Sequence, residues 1–176
     1  MERRKLNQLL VLIIIFGLAT VLKRWYNLNY VLVWLGALLG FYLPNIDYIL
    51  YAFVIRPQNS LSLEIKSLIK NKKFLKIGDV AKDLTQFEKL IFHTAYFQVI
   101  FLVLTFFVVS SSGSLFGKGL VYAASLKLLL EQIWEFRKNK NLSYWFSEMN
   151  LELSSDQTKA YLLSVGFALL LFILMF

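Results

Sequence analysis

Residues Leu38–Tyr51 read "LLGFYLPNIDYILY". The stretch is apolar enough for a lipid interior, yet Pro44, Asn45 and Asp47 interrupt it. Proline removes a backbone donor, and an aspartate at membrane depth is costly, so nearby groups must compensate for both. The interruption sits inside a longer apolar segment, Tyr30–Ile55. Four further segments are apolar throughout: Leu6–Leu22, Ile91–Ser110, Leu120–Phe136 and Ala160–Phe176. Runs of about 17–25 residues can cross a bilayer core as helices. The expected fold is therefore an all-α integral membrane protein, a single membrane domain over residues 1–176. It has about five transmembrane helices, the second broken at Pro44. Four crossings result instead if residues 30–55 are re-entrant and turn back at the proline.

Composition supports the class. Of the 176 residues, 58% are hydrophobic and 17% charged, whereas a soluble domain carries about a quarter charged residues. The absence of cysteine excludes disulfides, zinc–thiolate sites and cysteine nucleophiles. The net charge of +8 is explained by its distribution. With a cytoplasmic N-terminus and an outside C-terminus, 15 of the 19 Lys and Arg residues fall in the inside segments. Only Lys23, Arg24 and Lys118 fall outside, and Lys127 lies within a span. That satisfies the positive-inside rule, so the basic excess reads as topology and not as a nucleic-acid footprint. A cleaved signal peptide is the alternative for the first segment. Its apolar run is long for that role, and "KRWYN" follows it in place of small residues.

Between the second and third spans, residues 60–89 form a cytoplasmic amphipathic segment. Leu61, Ile65, Leu68 and Ile69 share one helical face. Lys66 and Lys70, followed by Lys72, Lys73 and Lys76, form a basic skirt suited to anionic lipid headgroups. Gly78 breaks the pattern, Asp79 is placed as N-cap of a second helical stretch, and Val80, Leu84 and Phe87 continue toward the third span. Before the last span, Ser154 or Ser155 is placed as N-cap with Asp156 near the positive end of the helix dipole.

All intramembrane charges fall in the cytoplasmic half of this topology. Asp47 lies eight residues before Ile55, His93 four after Lys89, and Glu131 and Glu135 close to Phe136. Lys127, Glu131 and Glu135 recur every fourth residue and so share a face. One polar cluster is expected. Gly36 and Gly40 form a small-xxx-small pair that admits a close helix, from within the bundle or from a second copy or other membrane partner.

These residues resemble the small prokaryotic membrane-bound metal-dependent hydrolases. That family carries a Leu-Pro-Asp-Ile-Asp-His stretch, then His-Arg-Gly-x-Thr-His-Ser, then Ser-His-Leu-Leu-Leu-Asp. The present chain has "LPNIDY" at Leu43–Tyr48, "EKLIFHT" at Glu88–Thr94 and "LKLLLE" at Leu126–Glu131. Order, spacing and placement agree from about Gly36 to Trp145, most of the chain. The resemblance implies a prokaryotic cytoplasmic membrane and a metal site built from the motif residues. Asp47 and His93 are retained, and Glu131 replaces an aspartate. Asn45 stands for the first aspartate, Tyr48 and Glu88 for histidines, and Lys127 for the histidine of the last motif.

Lysine is not a usual metal ligand. Only Asp47, His93 and Glu131 remain as good ligands for zinc or manganese. The leading expectation is thus a non-catalytic relative with no cofactor. In it, Lys127 occupies the cation's place, held by Asp47 and Glu131, with Asn45 in the same structural polar cluster. The competing expectation is an active hydrolase of a lipid or lipid-linked phosphate at the cytoplasmic leaflet. That enzyme would use a metal on Asp47, His93 and Glu131, with Glu135 or Glu88 as general base. A third is a small transporter or membrane-complex subunit, although no inverted repeat is visible.

Overall fold

The computed structural model describes residues 2–73, 76, 77, 87 and 90–176, with side chains from residue 5 onward. The expected roles of Gly78, Asp79, Val80, Leu84 and Glu88 lie outside the described residues. Those described are all-helical, with no strand.

Helix α1 spans Glu2–Leu22 and ends in a turn where Arg24 adopts a left-handed φ of 54°. Helix α2, Val31–Tyr42, begins the interrupted segment. Pro44 stands at the start of a 3-10 turn, Leu43–Asn45, where its missing N–H is least costly. The chain then continues as α3, Ile46–Leu50, and a π-helical turn, Tyr51–Ile55. Backbone angles at each junction stay right-handed helical, so residues 28–55 form one continuous run that does not fold back at Pro44. Helix α4, Ser60–Lys70, is capped by the Asn59 side chain.

Helix α5 covers Ala95–Ser111 and is capped by Thr94, four residues later than the apolar run begins. Helix α6, Leu115–Asn139, is the longest, capped by Ser114 and closed by Lys140 in a left-handed conformation. A short α7, Ser143–Phe146, precedes α8, Ser155–Leu174. Ser154 and Gln157 complete a reciprocal capping box at α8, with Asp156 in its first turn, as the serine pattern predicts.

The centre of the bundle is α6, which packs against α1, α2, α5 and α8. From Val121 to Leu129 every residue is buried. The tightest contact is with α2. A methyl group built at Gly36 would lie 2.1 Å from the Phe116 carbonyl oxygen, and one at Gly40 2.1 Å from that of Leu120. Gly119 returns the approach, 2.1 Å from the Val33 carbonyl oxygen. The glycine pair expected to receive a partner is therefore occupied by α6 of the same chain. At the opposite end from the polar cluster, Lys23 Nζ donates to the carbonyls of Leu174 (2.7 Å) and Phe176 (3.0 Å), tying the end of α8 to the turn after α1.

The expected lipid-facing side of α4 also turns inward. Ile65 is fully buried, and Leu61, Leu68 and Ile69 pack on the same cluster as Tyr51, Phe87 and Trp145. Lys66 donates to the Pro57 carbonyl at 2.8 Å, while Lys70, Lys72, Lys73 and Lys76 are exposed. Among the described residues, three helical runs are long and apolar enough to cross a membrane: Lys5–Leu22, Leu28–Ile55 and Ser155–Leu174. Helix α5 is apolar but has 17 residues.

Candidate functional site

The polar groups meet where α3, the start of α5, α6 and α1 converge. Asp47, in the first turn of α3, is fully buried. Residues Ile91–His93 stay unwound ahead of α5 and aim their amides at its carboxylate. Oδ1 accepts from the Ile91 N–H at 2.9 Å. Oδ2 accepts from the Phe92 N–H at 2.7 Å and the His93 N–H at 3.1 Å. The later start of α5 has this cause: three amides satisfy a buried carboxylate, where α-helical geometry would direct them along the helix axis.

His93, also fully buried, extends the chain of contacts. Its Nδ1 lies 2.8 Å from Asp47 Oδ2, and its Nε2 lies 2.7 Å from Glu131 Oε2 and 3.2 Å from the Tyr48 hydroxyl. Each imidazole–carboxylate contact needs a hydrogen, so a ring donating through both nitrogens, an imidazolium, fits the geometry. Glu131 Oε1 pairs with Lys127 Nζ at 2.8 Å, one helical turn away. Lys127 in turn donates to Gln8 Oε1 of α1 at 2.6 Å, and its ammonium lies 4.8 Å from the centre of the Phe41 ring. Two carboxylates, an imidazolium and an ammonium sum to zero charge. Neutral closure of this kind is what makes buried ions tolerable.

The structure thus brings Asp47, His93, Glu131 and Lys127 together but changes the pairing. Lys127 is held by Glu131 and Gln8, and Asp47 turns to His93, because the amides of residues 91–93 and the imidazole saturate its oxygens. Asn45 is half-buried, its side chain has no hydrogen-bond partner among the described residues, and so it stands apart from the cluster. Glu135 is buried one turn beyond Glu131 and accepts from the Asn139 amide. Thr94 caps α5, and Ser125 lies 2.8 Å from Thr105. Neither hydroxyl is placed as a nucleophile for His93.

Sequence reasoning missed Gln8 and the contribution of Tyr48. A glutamine inside the apolar first segment was the available signal for the former. For Tyr48, the signals were its place beside Asp47 and its standing at a histidine position of the resembled motif. Walls of Tyr48 and Trp145, with ring centres 5.1 and 5.6 Å from that of His93, close the site on its aromatic side.

The groups that a divalent metal would use are engaged within the chain in this arrangement. Both His93 nitrogens are directed at carboxylates, and Asp47 accepts four hydrogen bonds. A metal ligand needs a free lone pair on imidazole and an open carboxylate oxygen. Among the described residues no group of three metal-ligating side chains is arranged around a common point. No family model matches the chain, and no curated protein or solved structure is detectably similar to it.

Proposed function

We propose that this chain is a polytopic protein of a prokaryotic cytoplasmic membrane, related to the membrane-bound metal-dependent hydrolases. In this reading a closed set of charge pairs replaces their metal site, and its role is non-catalytic. The observation that carries it is the saturation of Asp47 and His93 by partners from the same chain. A site built for hydrolysis must leave a coordination position and a base exposed to substrate. Here Asp47 and His93 are 0% exposed and Glu131 3%.

Five crossings are supported by the outer surfaces of the bundle, and an inside N-terminus by the distribution of Lys and Arg. Leu10, Ile14 and Leu18 on α1, Leu35 and Leu39 on α2, Val103 and Phe107 on α5, and Phe167 and Leu170 on α8 are all exposed. Such a belt is stable when hydrocarbon covers it. Helix α6 has 25 residues, about 37 Å of rise, enough to span the core. Its mid-helix charges, Lys127, Glu131 and Glu135, are buried by its neighbours, which is the arrangement intramembrane ions require, while Arg137 and Lys138 are exposed at its end.

Two measurements test the reading. Detergent-purified protein incubated with zinc and then manganese is expected to retain neither after desalting. About one ion per chain in the wild type, absent from His93→Ala, would instead restore the hydrolase. For topology, a single cysteine at Ser60→Cys is expected to resist a membrane-impermeant thiol reagent on intact cells and to react after lysis. Labelling from outside would reverse the orientation.

A further inference from the structure

A groove of about 360 Å³ opens between α1 and α6 on the side of the cluster remote from His93. Val11 and Ile133 form its apolar wall, while Asn7, Gln8 and Arg137 supply its polar groups. Gln8 is 6% exposed. Because its Oε1 is held by Lys127, the amide is fixed with Nε2 as the free end. That Nε2 is buried and has no acceptor among the described residues. Gln98 Nε2, Gln132 Oε1, the Tyr144 hydroxyl and Trp145 Nε1 are likewise buried without a partner among the described residues, but of these residues Gln8 is the one that lines this groove, and its donor calls for an acceptor.

The rest of the groove agrees on the sign of that partner. Arg137 is exposed, with no carboxylate pairing it among the described residues. Lys138 places its ammonium 5.5 Å from the centre of the Trp134 ring, which also lines the groove. No Asp or Glu among the described residues lines the groove. An amide donor and a planar guanidinium are complementary to a phosphate diester, which accepts at several oxygens. On α1, Leu10 and Ile14 follow the groove residues Asn7 and Val11 by three positions, next to them on the helix surface, and are exposed, so a hydrocarbon chain can lie there.

We propose that this groove binds one acidic phospholipid per chain. Its phosphate accepts from Gln8 Nε2 and Arg137, and one acyl chain lies along Val11 and Ile133. The inference rests on the membrane reading of the chain. Because Gln8 also holds Lys127, the lipid would fix the outer end of the buried charge chain.

The test is native mass spectrometry of the detergent-solubilised full chain, titrated separately with phosphatidylglycerol, phosphatidylcholine and inorganic phosphate. The wild type is expected to take up one phosphatidylglycerol in preference to phosphatidylcholine. Arg137→Gln should weaken that binding about tenfold, the size expected for a lost charge-assisted hydrogen bond. Lys118→Gln, the same charge change near the other end of α6, should leave it unchanged. Equal binding by Arg137→Gln, equal uptake of phosphatidylcholine, or saturation by inorganic phosphate alone would each overturn the proposal. Membrane fractionation of the same protein separates the two readings. A chain that sediments with membranes yet lacks the lipid preference loses only the lipid site, whereas a freely soluble chain loses both.

Discussion

Replacing Asp47 by asparagine is expected to lower the stability of the solubilised protein by about 3 kcal/mol or more, within the range for breaking one partner of a buried charge pair. The change preserves shape, so the loss must come from hydrogen bonding and charge. The carboxylate accepts on both oxygens: from the Ile91 amide on Oδ1, and from two amides and the His93 ring on Oδ2. A side-chain amide has one oxygen and one NH2. Whichever way it is placed, an NH2 group faces at least one backbone N–H, leaving a buried donor without an acceptor. The removed charge also leaves His93 and Lys127 balanced by Glu131 alone among the cluster's carboxylates. Asn45→Ala, two residues away on the same turn, supplies the control. The Asn45 side chain lacks a hydrogen-bond partner among the described residues, so its loss should fall within about 0.5 kcal/mol. Melting followed by circular dichroism compares the two. An Asp47→Asn protein that melts with the wild type would mean the carboxylate is not the organising group.

Legibility of the site in the sequence varies with the range of each interaction. The one-face placement of Lys127 and Glu131 follows from local periodicity, and their 2.8 Å pair lies one turn apart as that periodicity requires. Convergence of Asp47 and His93 on the same region follows from placing each charge by depth along its own segment. The partner of each charge is not legible. Asp47 prefers His93 to Lys127 because residues 91–93 leave the helix and present three amides to it, and an apolar "LIFHT" gives no hint of unwinding. Gln8 escapes notice because a single amide in an apolar run does not specify which neighbour it meets. The amphipathic pattern of α4 does mark one side as covered. What covers that side, the cluster around Tyr51 and Trp145, depends on contacts distant in sequence. Hydropathy likewise cannot distinguish an apolar face covered by lipid from one covered by the chain itself.

Gly40→Ala and Gly17→Ala should have opposite effects, although each adds a single methyl group to an apolar helix. At Gly17 nothing lies within 4 Å of the added carbon. The substitution gains the helix propensity that glycine lacks, up to about 1 kcal/mol in favour of alanine. At Gly40 the same carbon would sit 2.1 Å from the Leu120 carbonyl oxygen and 2.8 Å from its carbonyl carbon. Those atoms belong to the backbone of α6 and cannot rotate away, so the helix axes must separate. Separation weakens the contacts at Gly36 and Gly119 at the same time, because all three glycines seat one helix on the other. It also gives up the Cα–H···O contacts that such an approach permits. The propensity gain is still present at Gly40, so the net measured effect is strain minus that gain. Overpacking costs of about 1–3 kcal/mol, toward the upper end where rigid backbone is the obstacle, still exceed it. The expected result is a Gly40→Ala protein destabilised by about 2 kcal/mol and a Gly17→Ala protein at least as stable as the wild type. Equal stability of the two would show that α2 and α6 are not seated backbone to backbone. Since Asp47 follows α2 by one short turn and Glu131 lies on α6, that separation would also displace the two carboxylates that hold His93 between them.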